Sequence, residues 1–442
     1  MPKVAFATLG CRLNQAESDQ MAESLAQRGF VAAPTDSADM VVVNTCTVTR
    51  EATKASRSAI RRAVRANPSA KVVVIGCYAV SDSAEIEAIE GVSAVLSNDD
   101  KESFLEALSD QPETRSLLQL GFGPSTPQMQ PTRVRANLKV QTGCDEWCSF
   151  CIIPMTRGPL RSMNEEAIVS EARTKVGAGA RELVLTGVHL GKYSYDLGSD
   201  ERTLVALLER LLAIPDVLRI RLSSILSRHL TDELVALMAS EPRICRHLHV
   251  PLQSGDDEVL AAMNRPYRID EYVDSVTRAR QALPDLALAT DLIVGFPTET
   301  DAAFDNTMKI VRELSFSKLH VFRYSPRTGT AAAVLADAVP ADTKKARSKT
   351  LIELGNQIRV EWLARHLERP LQVLVEDERT VEDVHVCSGQ TDDYVRVWFE
   401  GEGLLGTVHE VVGERVRADG IQGRSSARQV STNGPMTNEG VL

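Results

Sequence analysis

The 442-residue sequence has no apolar run approaching the roughly 18 to 20 residues needed to span a bilayer, so no membrane partner is expected. Its opening, MPKVAFATLGCR, has an apolar segment too short for a signal peptide, and the chain is read as cytoplasmic. Positive charge is not in excess either. Fifty Lys and Arg against sixty Asp and Glu give a formal charge of -10, which excludes a uniformly basic surface and leaves only local contact with nucleic acid. In a reducing compartment the eight cysteines read as metal ligands or reactive thiols rather than disulfides. The eight histidines show no metal-ligand spacing; His247 and His249 alternate within an expected strand, where core or surface roles outweigh catalysis. At 43% hydrophobic and 25% charged residues, the composition is that of a globular protein, and its length implies two to four domains.

The informative feature is the string GCDEWCSFCIIP, which places Cys144, Cys148 and Cys151 in a CxxxCxxC spacing. Structural zinc sites close with four ligands, usually through a second Cys or His pair downstream, and none follows here. Three thiolates this close can instead hold three irons of a [4Fe-4S] cube. A self-contained electron-transfer cluster usually has four cysteines, so one iron is left open. An open iron can chelate a small molecule through an amine and a carboxylate and pass it one electron.

Around this motif the chain divides into segments. Over residues 1–110, the runs KVAFATLG, MVVVNT, KVVVIG and VSAVLSN read as buried parallel strands between amphipathic helices, a small doubly wound α/β domain. Cys11, Cys46 and Cys77 each follow one of these strands. They are expected to converge at the carboxyl edge of the sheet, as a second three-thiolate site rather than as core cysteines. Residues 111–134 read as a linker. From 135 to 365, six strand and helix units predict a partial or full barrel of parallel strands with its chemistry at the strands' carboxyl ends, where Thr186, Gly187, Gln253 and Ser254 fall. Residues 366–427 read as a small antiparallel β-barrel of OB type, and 428–442 as a disordered tail.

Together these pieces resemble the methylthiotransferases of the radical S-adenosylmethionine (SAM) superfamily over nearly the whole chain. TLGCRLNQAESDQM, VVNTCTVT and VVIGCYA match the family's N-terminal segments, and KVQTGCDEWCSFCIIPMTRGPLRS its radical SAM segment. LTGVHLGKY, HVPLQSGDDEVLAAMNR, TDLIVGFPTET and RYSPRTGT match further downstream. The resemblance implies two [4Fe-4S] clusters, a SAM-cleaving one on Cys144, Cys148 and Cys151 and an auxiliary one on Cys11, Cys46 and Cys77. It also implies SAM contacts at Thr186, Gly187 and Gln253, a C-terminal TRAM domain that binds tRNA, and a small electron-donor protein such as flavodoxin or ferredoxin. Within the family the strings are most similar to the branch that methylthiolates N6-threonylcarbamoyladenosine at position 37 of tRNA. An isopentenyladenosine tRNA or a ribosomal protein are the alternative substrates, and a non-enzymatic iron-sulfur carrier the alternative class.

A basic stripe is expected to meet tRNA phosphate: Arg50, Lys54, Arg57, Arg61 and Arg65 share one face of the helix after Cys46, without an interleaved acid between Arg57 and Arg65. In the terminal barrel, Tyr394, Arg396, Trp398, Arg415 and Arg417 are candidates for stacking and backbone contacts. One departure stands out. Where the family commonly carries an acid and a proline after the third barrel strand, this chain has Leu226 and Ser227, with Arg228 and His229 as the nearest polar replacements. Cys245 and Cys387 lie outside both triplets and are expected to be structural.

Overall fold

A computed structural model describes residues 1–120, 133–198, 203–336 and 338–426. The first domain is a five-stranded, wholly parallel sheet. Its strands run in the order Val31–Ala32, Lys3–Thr8, Met40–Thr45, Lys71–Gly76, Val92–Val95. The β-branched runs suit a sheet covered on both faces. Val41, Val43, Val72 and Val74 pack against Ile60 and Ala63 on one side, while Met40, Val42, Val73 and Ile75 pack against Met21, Leu25 and Phe104 on the other. The expected linker is shorter than 111–134: Pro112–Leu120 is helical, and Leu118 is buried in the Phe104 cluster. Leu117 packs against the same cluster, a pattern the Pro, Gln and Ser content of the segment obscured. Residues 121–132, and the tail from 428, lie outside the described residues.

The central domain carries six strands, Arg135–Lys139, Glu182–Thr186, Arg219–Leu222, His247–His249, Ala287–Val294 and Lys318–Arg323. They pair in parallel as two groups of three, joined by bridges at Ile220 and Ile244 and at Ser224 and His249. Among the described residues no ladder joins Lys318–Arg323 to Arg135–Lys139, so of the two expectations the partial barrel holds. The long helix Ala341–Ala364 packs on the last strand and leads to the third domain.

That third domain is a closed five-stranded barrel of Pro370–Val381, Val384–Gln390, Arg396–Glu400, Gly420–Ser425 and Val408–Arg417. It is not wholly antiparallel: Arg396–Glu400 pairs in parallel with Gly420–Ser425. An odd number of strands cannot alternate direction around a closed ring, so closure requires a parallel seam. Cys387 is buried in this barrel, its thiol on the Gly401 carbonyl at 3.1 Å. Cys245 is buried in the central domain.

Candidate functional site: two cysteine triplets on a shared wall

Cys11, Cys46 and Cys77 follow three adjacent strands of the first sheet, and Thr45 pairs directly with Gly76, so Cys46 and Cys77 emerge at one level. Gly10, at φ +95°, lets the Cys11 loop fold over Cys46. A Cβ at that position would lie 2.6 Å from the Cys46 Cβ and 2.9 Å from its Sγ. Ser56 holds the backbone of Cys46, accepting from its N–H at 3.0 Å and donating to its carbonyl at 2.8 Å. Burial pushes the Cys46 thiol up to about 11, and Cys77 and Cys11 beside it add to the rise.

The second triplet lies on the loop after Gln141–Thr142. Gly143, at φ +69°, makes the turn into it; a Cβ there would sit 1.7 Å from the Pro159 carbonyl oxygen. Gln141 anchors the loop by donating to the Gly143 carbonyl at 2.8 Å and accepting from the His189 N–H at 2.8 Å. Burial raises the Cys144 thiol to about 11 and the Cys151 thiol to about 12. Arg265 donates from Nη1 to the Cys148 Sγ at 3.3 Å.

Neither triplet has the compact geometry of a single-ion site. A single zinc would draw its sulfurs to about 3.8 Å of one another at Zn–S bonds of about 2.3 Å. Among the described residues neither triplet has its three sulfur atoms gathered within 4.8 Å of one another. The raised thiols also mean that loading iron must displace protons, so assembly favours higher pH.

The two sites share one wall. The short helix Ile153–Arg157, two residues beyond Cys151, packs against the helix that begins at Cys77. Asn98 joins them, donating to the Thr156 carbonyl at 2.7 Å and lying 3.7 Å from the Cys77 Sγ. Arg157 reaches into the first domain, donating to Asn14 Oδ1 at 2.5 Å and to Glu17 Oε1 at 2.9 Å. Asn14 in turn donates to the carbonyls of Leu9 and Thr45, on the approaches to Cys11 and Cys46. Glu17 is 3% exposed and also takes Lys101 at 2.6 Å and Lys139 at 3.6 Å. Burial alone would push its carboxyl up, but Lys101, Arg157 and Lys139 outweigh it and hold the group well below the usual carboxylate range. Burial lowers the Lys101 ammonium despite Glu17. Arg157 keeps its proton, so Glu17 always faces at least one positive charge.

Of the residues expected at SAM, Thr186 is buried at the end of its strand with its hydroxyl on the Leu138 carbonyl, and Gly187 lies where a Cβ would meet Gln141 Oε1 at 2.9 Å. Gln253 has φ +70° and a buried Oε1 without a partner among the described residues, strain and an open acceptor that fit a ligand-facing position. Ser254 is buried near Thr307, with 3.5 Å between their hydroxyls.

Leu226 is buried in place of the family acid, and the Ser227 hydroxyl is buried without a partner among the described residues. Arg228 and His229 turn toward the cysteine loop instead. Glu146 accepts from Arg228 at 2.5 Å, pairs with Lys192 at 2.8 Å and lies 3.1 Å from His189 Nε2. His229 packs edge-on against His189, and burial lowers it to about 4, so it is neutral at pH 7. Histidine spacing concealed this group, and also His249, Asp291 and His320. There Asp291 Oδ1 lies 3.0 and 3.2 Å from the two imidazoles, and Ser224 lies 2.6 Å from His249. His249 thus belongs to a polar cluster rather than to a strand core, because its partners come from neighbouring strands.

The candidate RNA contacts divide. Arg50, Lys54, Arg61 and Arg65 are exposed. Arg57 is not a free cation: it pairs with Glu85 and donates to the Tyr78 hydroxyl at 3.2 Å, partners from two other helices that its own sequence does not show. A groove of about 650 Å³ adjoins this helix, lined by Thr49, Glu51, Phe322, Arg323, Lys345 and Lys349, with Phe322 39% exposed.

Arg396, Arg415 and Arg417 are exposed on the terminal barrel. Trp398 is only 7% exposed, with Arg396 and Arg417 each 5.4 Å from its ring, so it supports those guanidinium groups and offers no stacking face. Tyr394 is likewise no stacking platform. Its ring centre lies 5.3, 5.1 and 4.5 Å from the guanidinium carbons of Arg12, Arg135 and Arg221, with the His247 ring 4.8 Å away. It is a wedge joining all three domains. Arg221, fully buried, also pairs with Glu182 at 2.7 Å and donates to the carbonyls of Thr391 and Asp392.

Sequence spacing did not single out Asn14, Glu17, Arg157, Arg265 or Arg327. Each lies inside a matched string, NQAESDQM, TRG, MNR or RYSPR, which was the available signal.

Residues 3–97 match the family model described as Uncharacterized protein family UPF0004, and residues 138–311 that of the Radical SAM superfamily. A threonylcarbamoyladenosine tRNA methylthiotransferase MtaB of Bacillus subtilis is 38% identical over 93% of both chains, and one of Thermotoga maritima 34% identical over 97% of this chain and 100% of that one. A tRNA-2-methylthio-N(6)-dimethylallyladenosine synthase of Endomicrobium trichonymphae is 34% identical over 89% and 92%. Among solved structures, the radical SAM methyltransferase TsrM of Kitasatospora setae shares the fold with a TM-score of 0.54 at 13% identity, over 76% of this chain and 77% of that one. With this identity spread over almost the full length and both triplets in their matched segments, the chain belongs to the methylthiotransferase family of the radical SAM enzymes.

Proposed function

We propose that the protein methylthiolates N6-threonylcarbamoyladenosine at position 37 of tRNA, giving the 2-methylthio derivative. The observation that carries this reading is the shared wall of Asn98, Thr156 and Arg157, which sets a SAM-type cysteine loop against a second three-thiolate site. The tRNA methylthiotransferase names of the relatives support the RNA substrate, and the relatives named for threonylcarbamoyladenosine support the nucleoside. An aromatic C–H offers no acidic proton, so general base catalysis cannot reach it.

Cys144, Cys148 and Cys151 would hold one [4Fe-4S] cluster and Cys11, Cys46 and Cys77 the other. When bound, the first supplies an electron for reductive cleavage of SAM and the second an open iron for the transferred sulfur. A flavodoxin- or ferredoxin-type protein is the electron donor. The chain's own part is to orient and to exclude water. Arg265 tunes the SAM site through the Cys148 sulfur, Gln253 and the Thr186–Gly187 turn present polar groups to SAM, and Glu17 with Arg157 keeps the two domains in register. Arg50, Lys54, Arg61 and Arg65, with the adjoining groove, receive tRNA phosphate, and Arg396, Arg415 and Arg417 extend that contact.

Comparing tRNA nucleosides by mass spectrometry from cells with and without the gene tests the substrate. The 2-methylthio derivative of threonylcarbamoyladenosine is expected to vanish with the gene. Loss of the isopentenyl counterpart instead would move the reading to that branch. For the RNA surface, the double variant Arg61→Glu, Arg65→Glu is expected to weaken tRNA binding and to flatten the slope of log affinity against log salt by about two, one per lost phosphate contact. An unchanged slope in filter-binding titrations would remove this helix from the interface.

A further inference from the structure

Arg327, in the RYSPR string after the last barrel strand, has no part in the scheme so far. Its Nη1 donates to Thr53 Oγ1 at 3.2 Å. Thr53 lies 2.9 Å from the hydroxyl of Thr47, the residue after Cys46. The guanidinium therefore stands on the Cys46 side of the auxiliary triplet, reaching the first domain from the central one, and the charges it feels there are Arg50, Glu51, the Cys46 sulfur and Asp82. Its Nε and Nη2 are both buried and have no partner among the described residues. These two atoms form one edge of the guanidinium, with parallel N–H groups suited to an anion. Leaving two donors of a charged group buried and unmatched is costly, so a partner is expected where the edge points. Neither Glu51 nor Asp82 takes these two donors among the described residues, and on the Cys46 side of the triplet the remaining anion is sulfur.

We propose that Arg327 is a positioning residue which binds the anionic sulfur held at the open iron of the auxiliary cluster. The inference rests on the two-cluster reading above and adds the protein group that would retain the sulfur. Arg265 on Cys148 is the matching arginine at the other triplet, but it already donates to its sulfur, to Tyr267 and to Pro251. Arg327 alone of the two keeps a free edge.

The test uses the full-length, anaerobically reconstituted protein, its Arg327→Met and Arg327→Gln variants, and sodium hydrosulfide as probe. The paramagnetic resonance spectrum of the auxiliary cluster is followed as hydrosulfide is added, with iron content measured on each sample. Both variants are expected to keep their iron and to bind hydrosulfide about ten-fold more weakly, the effect of losing one charge-assisted contact. Their auxiliary cluster should also be harder to reduce, since a cation beside it is gone. If Arg327→Met sheds iron, Arg327→Gln, which keeps a donor, provides the comparison. Unchanged hydrosulfide affinity with full iron overturns the role of Arg327. Failure of the wild-type protein to hold iron at Cys11, Cys46 and Cys77 overturns the two-cluster reading itself, and the iron assay separates the two results.

Discussion

Cys77→Ala is expected to lower the iron bound per chain from about eight to about four, taking four per cube, and to leave reductive cleavage of SAM within a few-fold of wild type. Methylthiolation should fall below detection. Cys77 is, with Cys46, one of the two buried members of the first triplet and opens the helix that packs on Ile153–Arg157. Removing its sulfur takes one of three ligands from the auxiliary site, while Gln141, Gly143 and Arg265 still hold the other. The comparison is 5'-deoxyadenosine formed against methylthionucleoside formed in the same reaction. Equal loss of both products would count against separate roles for the two triplets. Retention of both would mean that the first triplet carries no metal needed for transfer.

Glu17→Ala should give the largest loss of stability of any single change at the domain junction. It strands Lys101, Lys139 and Arg157, whose side chains are 2%, 4% and 1% exposed, without their common anion. Removing one partner of a buried ionic group costs about 3–5 kcal/mol, chiefly because the remaining charge is left uncompensated. Urea unfolding at pH 7, followed by far-ultraviolet circular dichroism, reads the difference. The pH dependence has a definite sign. The Glu17 carboxyl is held below its unfolded value, so its contribution is complete above the unfolded value near pH 4 and fades as pH falls toward the lower folded one. The gap between wild type and variant should therefore close below about pH 4. A gap that stayed constant into acid would show that Glu17 acts by packing and not by charge.

How much of this was legible beforehand differs from feature to feature. The buried strands of the first domain could be read because a parallel sheet covered on both faces needs unbroken apolar runs, and KVVVIG and MVVVNT supply them. Cys11, Cys46 and Cys77 could be placed because each closes such a run. The helical part of 111–134 was missed because its leucines are few and surrounded by Pro, Gln and Ser. Arg57, Tyr394 and Trp398 were read as RNA-facing because they share faces or strands with exposed residues, and the partners that occupy them lie far along the chain. Arg12 and Tyr394 are separated by 382 positions, and no local pattern joins them.

Local sequence thus determined the two cysteine triplets, the strand and helix alternation, and the family. These follow from short-range periodicity and from ligands a few residues apart or at the ends of apolar runs. Only the tertiary structure decided that the central barrel stays open, that the terminal barrel closes through a parallel seam, and that Asn98, Glu17 and Arg157 bring the triplets onto one wall. It also decided which cations remain free for a partner. Pairing of buried charge depends on distance in space, and the low-dielectric interior makes each such pair costly to leave incomplete, so its partners are recruited from anywhere in the chain.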